Sequence, residues 1–188
     1  MYVAGVDEVG RGPLAGPVSI GVAWCKEDVD LMKLFPFLND SKKVTEKRRE
    51  EIYEAVKKCD DISFVVVSSS NKVIDEKGIS FAIEDAIERG CKDLPEDVFV
   101  YLDGRLSAPE KFKQKSVIGG DGSVPIISLA SIVAKVERDK YMEKIGEDYP
   151  EYGLGKHKGY GTKVHREAIV EFGLSEIHRE SFCKNLTK

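Results

Sequence analysis

The chain has 188 residues, 41% hydrophobic and 33% charged, with a formal net charge of −4. That length buries a core of its own without disulfide or metal staples, and no apolar run approaches the roughly 18 residues of a bilayer span. The negative balance counts against a nucleic-acid partner, since such proteins usually show a basic footprint, although local charge distribution can overrule the total. The scattered Cys25, Cys59, Cys91 and Cys183 form no C-x-x-C pair, which predicts free thiols in a reducing cytoplasm.

Tyr2 to Val6 reads as a strand that ends at Asp7-Glu8, with no basic region before it, so no signal peptide is expected. Val9-Gly10-Arg11-Gly12-Pro13 reads as a tight turn. Val18 to Cys25 is a second apolar strand, and Thr45 is an N-cap candidate for a helix to about Lys58 with Ile52, Val56 and Cys59 on one face. The Val-rich run Ile62 to Ser68 predicts a strand. Ile79, Ala82, Ile83, Ala86 and Ile87 stand at helical spacing, and Val98 to Leu102 predicts a short strand running into Asp103-Gly104. After the turn Gly119 to Gly122, Pro125 suits the first turn of a helix striped by Leu129, Ile132, Val133 and Val136. Its other face carries Lys135, Glu137, Arg138, Asp139 and Lys140. Tyr149 to Thr162, with Pro150 and four glycines, predicts a loop before a last helix from Lys163 to about Glu171. Early strands close in sequence and later ones separated by helices predict an α/β domain, a mixed β-sheet flanked by helices.

Three acidic positions share one context: Asp7-Glu8, Asp103 and Asp121 are each read as following an apolar strand and preceding a glycine-bearing turn. Strand ends are where α/β proteins place ligands. Carboxylates gathered there repel one another unless a cation joins them, and magnesium with oxygen ligands suits such a set. Taken singly, Asp103 and Asp121 also fit as ordinary Asp-Gly turn formers. Two basic clusters, one of Lys42, Lys43, Lys47, Arg48 and Arg49, the other of Lys156, His157, Lys158, Lys163, His165 and Arg166, are solvated faces or phosphate contacts. The three histidines fit no common zinc spacing and are expected to be solvated.

The strings Val6-Asp7-Glu8-Val9-Gly10-Arg11-Gly12-Pro13-Leu14-Ala15-Gly16, Asn39-Asp40-Ser41-Lys42-Lys43, Tyr101-Leu102-Asp103-Gly104, Gly120-Asp121 with Ala130-Ser131-Ile132-Val133-Ala134-Lys135-Val136, His157 to Thr162 and His178 to Phe182 run in order from end to end. Together they resemble the motifs of the bacterial ribonuclease HII family, a type 2 RNase H family. The resemblance implies an RNase H-like fold with residues 1–145 catalytic. Residues 146–188 would be loops and helices of the same domain that cover the substrate. It implies Asp7, Glu8, Asp103 and Asp121 as catalytic ligands of two Mg2+ or Mn2+ ions, with Asp7 bridging. It also implies that Gly10-Arg11-Gly12 senses the ribonucleotide at the cut and that Tyr160 marks the deoxynucleotide after it. The activity implied is endonucleolytic cutting of RNA in RNA/DNA hybrids and of single ribonucleotides in duplex DNA. The cut falls 5′ of the ribonucleotide and leaves 5′-phosphate and 3′-hydroxyl ends. The partners implied are those nucleic acids, with no membrane, no obligate protein partner and a monomeric state.

Further substrate contacts are expected from Ser41, Lys42 and Lys43 and from the helix start near Pro125. Ser131 and Lys135, one helical turn apart, could present a common face; Lys135 also fits as an ordinary solvated residue. One departure from the family pattern, Lys77-Gly78, bears on helix packing only. Three rivals are a metal-independent ribonuclease using His157, His165 or His178 and leaving 2′,3′-cyclic ends, a magnesium-binding receiver domain, and an inactive nucleic-acid binder. The receiver reading gives Gly10-Arg11-Gly12 and Tyr160 no role, and the full acidic set argues against the inactive binder.

Overall fold

The structure, a computed structural model, describes residues 1–38 and 44–186. Among them one mixed sheet of five strands has the order β3-β2-β1-β4-β5. Strand β1 (Tyr2–Val9) lies at its centre, antiparallel to β2 (Val18–Lys26), which pairs antiparallel with β3 (Ile62–Ser69). On its other side β1 runs parallel to β4 (Val98–Asp103), and β4 parallel to β5 (Lys113–Val117). Parallel pairing sets Val6 opposite Leu102, so Asp7 and Asp103 both come one residue beyond the same rung.

Two features of the sheet differ from the sequence reading. Strand β1 does not end before its carboxylates: Asp7 pairs with Gly21 and Glu8 with Ile20, so both belong to the ladder. Strand β5 was not anticipated, because Lys-Gln-Lys-Ser-Val lacks an apolar alternation; charged residues are what an edge strand tolerates.

Helix α1 (Leu31–Leu34) is one short turn. Helix α2 (Glu46–Val56) starts where Thr45 accepts a hydrogen bond from the Arg48 N–H. Helices α3 (Asn71–Lys77) and α4 (Ile79–Gly90) are separated by Gly78 at φ +87°, so Lys77-Gly78 is a helix break. Helix α4 packs on β2 and β3 from one face of the sheet, and α5 (Pro125–Gly146) crosses β1 and β2 on the other. The approach of α5 is close: a Cβ on Gly5 would stand 2.2 Å from the Ile126 carbonyl oxygen, and one on Gly21 2.2 Å from that of Ala130.

Each sheet face carries its own apolar core. A third cluster joins Ala15, just past β1, to Met142 of α5, Leu154 of α6 (Leu154–His157), Ala168 and Ile169 of α7 (Lys163–Phe172), and Cys183 of α8 (Glu180–Cys183). The stretch read as loop between Tyr149 and Thr162 therefore contains α6, preceded by a 3-10 turn at Pro150–Tyr152. Cys25, Cys91 and Cys183 are buried and unpaired, and Cys59 is half-buried and unpaired. Among the described residues no helix is long and apolar enough to cross a membrane.

Candidate active site

Side chains alternate along β1. Asp7 faces α5, where the Ser131 side chain favours its charged form, whereas Glu8 faces α4 and lines a cleft of about 300 Å³ together with Arg11, Ser80, Asp103 and Arg105. Asp103 closes the gap toward the fourth acidic residue: its Oδ1 accepts the Asp121 N–H at 3.2 Å. Asp121 itself stands on a 3-10 turn, Gly120–Gly122, and its carbonyl accepts the Ser128 hydroxyl at 2.7 Å, which ties the turn to the start of α5.

Burial dominates the electrostatics. Asp7 is 6% exposed, and its carboxyl is pushed up to about 7, first by desolvation and then by the charges of Asp103 and Glu8; the Ser131 side chain and the Glu8 N–H, 2.8 Å from Oδ1, oppose this. Glu8 is also raised by burial, against Arg11, whose guanidinium lies 3.5 Å from Oε1. An acid held between burial and like charge gains most from a cation, and hard oxygen donors are what Mg2+ or Mn2+ accept, so the donor set fits such ions. Among the described residues no group of three or more His, Cys, Asp or Glu is already disposed to hold a metal ion. Asp7 and Glu8 leave opposite faces of β1, Asp7 toward α5 and Glu8 toward the cleft beside α4.

The turn after β1 is held from behind by two buried arginines. Arg179 donates to the carbonyls of Gly10 (2.6 Å), Arg11 (2.9 Å) and Gly16 (2.8 Å). Arg138 donates to Pro17 (2.9 Å), Ala15 (3.4 Å) and Lys158 (3.0 Å). Sequence reading put Arg138 on the solvated face of its helix and missed Arg179 as a functional candidate; they are 1% and 0% exposed. Arg11 and Gly12 are exposed, and a Cβ on Gly12 would meet nothing within 4 Å.

Tyr160 is exposed, with the Arg138 guanidinium 5.9 Å from its ring centroid. Its loop is fixed against the turn: the Leu14 N–H donates to the Gly159 carbonyl at 2.8 Å, and a Cβ on Gly159 would stand 2.4 Å from the Ala15 oxygen. The histidines, expected in solvent, brace that loop instead. His165 Nδ1 donates to the Tyr160 carbonyl (2.9 Å), so Nε2 of the neutral ring accepts from His178 Nε2 (3.0 Å). His178 Nδ1 then accepts the Ser175 N–H (3.0 Å) and hydroxyl (2.8 Å). His157 stacks on His165 with centroids 4.4 Å apart. Buried and fully hydrogen-bonded, His165 and His178 offer no face to a substrate phosphate.

This network sets an acid limit on stability. Burial, and then His165, lowers His178 from its ordinary 6.5 to about 4, and burial lowers His165 as well. The unfolded chain takes up a proton near pH 6.5 and the folded chain only near pH 4, so stability falls as pH drops through that window. Urea midpoints at pH 7.5 and 5 should fall for the wild type and fall less for His178→Gln. Equal slopes would remove the histidines as the cause.

The remaining predicted contacts divide. Ser131 acts on Asp7 electrostatically, and Lys135 pairs with Asp139 at 2.6 Å, both on α5. Ser41, Lys42 and Lys43 lie outside the described residues.

The fold defines the class first. RNase H2 from Pyrococcus horikoshii OT3 is 27% identical and superposes with a TM-score of 0.78 over 99% of this chain and 97% of its own. The RNase HII solved in the PCNA:RNase HII complex from Archaeoglobus fulgidus gives 27% and 0.77 with the same coverage. The molecule therefore has the RNase H-like fold. Residues 4–185 match the family model for ribonuclease HII, and ribonuclease HII from Clostridium perfringens strain 13 is 43% identical over 186 residues, 98% of this chain and 68% of that one. The chain belongs to the ribonuclease HII family; it is an endonuclease of the RNase H type, a phosphodiester hydrolase acting on RNA/DNA.

Proposed function

We propose that this enzyme cuts the RNA strand of RNA/DNA hybrids, and single ribonucleotides embedded in duplex DNA, on the 5′ side of the ribonucleotide. The products are a 5′-phosphate and a 3′-hydroxyl. The observation that carries this reading is the crowding of Asp7 with Glu8 and Asp103 at adjoining strand ends, beside a turn whose Gly12 faces open space.

Asp7, Glu8, Asp103 and Asp121 are the residues that would hold two divalent ions, with Asp7 between them. When bound, such ions supply a water of lowered pKa and charge stabilisation for the leaving 3′-oxygen. The protein supplies the rest. Ser131 orients Asp7, and the turn at Gly10-Arg11-Gly12 brings backbone close to the ribose 2′-hydroxyl, which is recognised and not used as nucleophile. The exposed Tyr160 ring packs on the sugar of the following deoxynucleotide, where no 2′-hydroxyl intervenes. Residues 146–188 act as a cover over the substrate within the same domain as residues 1–145. Ser41, Lys42, Lys43 and Lys135 are assigned to phosphate binding, Lys135 by exchanging Asp139 for the backbone. The four unpaired cysteines are in keeping with a cytoplasmic setting. The RNase HII of Archaeoglobus fulgidus was solved in complex with a protein partner, PCNA.

Excess EDTA should abolish cleavage of a labelled RNA/DNA hybrid, and Mg2+ or Mn2+ should restore it. Full activity in chelator, with 2′,3′-cyclic ends, would favour the histidine-based rival.

A further inference from the structure

The two buried arginines have an unusual set of partners. Among the described residues neither guanidinium is ion-paired to a carboxylate. All the acceptors named above are main-chain carbonyls, at positions 10, 11, 15, 16 and 17 of the turn and its exit and at 158 of the Tyr160 loop. A charge buried this deeply on neutral acceptors alone is costly to desolvate; burial, and then the charge of Arg138, lowers Arg179 to about 9, still protonated at neutral pH. A core built for stability alone has no need of such an arrangement, since apolar residues of similar volume serve as well.

What Arg179 achieves follows from peptide geometry. In a trans peptide the C=O of one residue and the N–H of the next point in opposite directions, and the protein contains no cis peptide bond. Drawing the Gly10 and Arg11 carbonyls inward onto Arg179 therefore turns the N–H groups of Arg11 and Gly12 outward. Neither N–H has an acceptor among the described residues. The guanidinium behind the carbonyls also polarises both peptides, which strengthens the two outward donors. Successive backbone donors of this kind form a concave site for an oxygen ligand. Arg138 extends the grip to the next element: it holds Ala15 and Pro17 with one part of its fork and Lys158, two residues before Tyr160, with another.

We propose that Arg179, assisted by Arg138, is a positioning residue that aims the Arg11 and Gly12 N–H groups at the ribose oxygen and locks that turn in register with Tyr160. This rests on the reading of Gly10-Arg11-Gly12 and Tyr160 as the substrate-sensing elements. Arg179 acts through the turn and touches no reacting atom.

The test compares wild type, Arg179→Lys, Arg179→Gln and Gly12→Ala. Each is assayed for kcat and KM on a duplex with one embedded ribonucleotide and on an all-RNA/DNA hybrid, well below its own melting midpoint. Lysine keeps the charge but cannot bridge the Gly10 and Arg11 carbonyls as a fork. Both Arg179 variants should lose about tenfold to a hundredfold in kcat on the single ribonucleotide, the scale of a small misplacement of a recognition element. KM should change less than about threefold, because phosphate contacts elsewhere dominate binding. Loss on the hybrid should be smaller, since a continuous RNA strand does not depend on register with Tyr160. Equal loss on both substrates, or wild-type kcat in Arg179→Lys, would overturn the proposal. Gly12→Ala separates this from failure of the underlying reading: its Cβ clashes with nothing, so wild-type cutting by Gly12→Ala would mean that the turn does not face the substrate at all.

Discussion

Asp7→Asn lowers turnover by about a thousandfold or more, about 4 kcal/mol of transition-state stabilisation, while the melting temperature holds or rises. The loss follows from removing the charge at the most buried of the carboxylates, the one that Glu8 and Asp103 both crowd. The stability result follows from the same facts. A buried carboxyl beside two others opposes folding, and asparagine is close to isosteric, keeps an oxygen for the Glu8 N–H and can still meet Ser131. Active sites commonly trade stability for function in this way. Single-turnover rates in saturating Mg2+, with a thermal melt of both proteins, check it. Near wild-type turnover would remove Asp7 from the centre, and a melting temperature lowered by many degrees would make its role structural.

Gly21→Ala destabilises the fold by about 3 kcal/mol, the upper range for overpacking, or a melting temperature lower by roughly 6–12 °C for a chain of this size. The added methyl would stand 2.2 Å from the Ala130 carbonyl oxygen and 2.9 Å from the Ala134 Cβ, so α5 must back away from the sheet. Ser131 follows Ala130 directly, so the same shift draws its hydroxyl from Asp7, and residual activity should fall with stability. Gly12→Ala is the control, because the same added methyl meets nothing there and the melting temperature should stay within about two degrees, as for surface changes generally. A melt of Gly21→Ala that matches wild type would mean that α5 is not seated on β2 as described.

Much of the fold is legible in the sequence. The apolar runs of β1 to β4, the Thr45 cap and Pro125 at the first turn of α5 follow from local rules. Register was not legible. Whether Asp7 and Glu8 stand within a strand or beyond it depends on how far β2 pairs back along β1, a contact that the string Val-Asp-Glu-Val does not encode. Strand β5 was hidden because an edge strand needs no apolar pattern. Arg138 had a faint signal. It stands on the i+4 line Ala130, Ala134, Met142, all buried, and a charge on that line must be either misplaced or functional. Arg179 had no local signal, since its acceptors lie 163 to 169 residues earlier. The histidine network was missed because glycines and lysines dominate the segment around His157; His165, with Ala168 and Ile169 at helical spacing on α7, was the clue.

The most direct measurement maps both ends produced by the wild-type enzyme on a DNA duplex carrying one ribonucleotide, by mass spectrometry, beside an all-DNA duplex of the same sequence. The expected products are an upstream piece of pure DNA ending in a 3′-hydroxyl and a downstream piece that begins with the ribonucleotide bearing a 5′-phosphate, with the all-DNA duplex left whole. A 2′,3′-cyclic phosphate on the upstream piece, or cutting of the all-DNA duplex at a comparable rate, would contradict water attack at carboxylate-held ions guided by recognition of the 2′-hydroxyl.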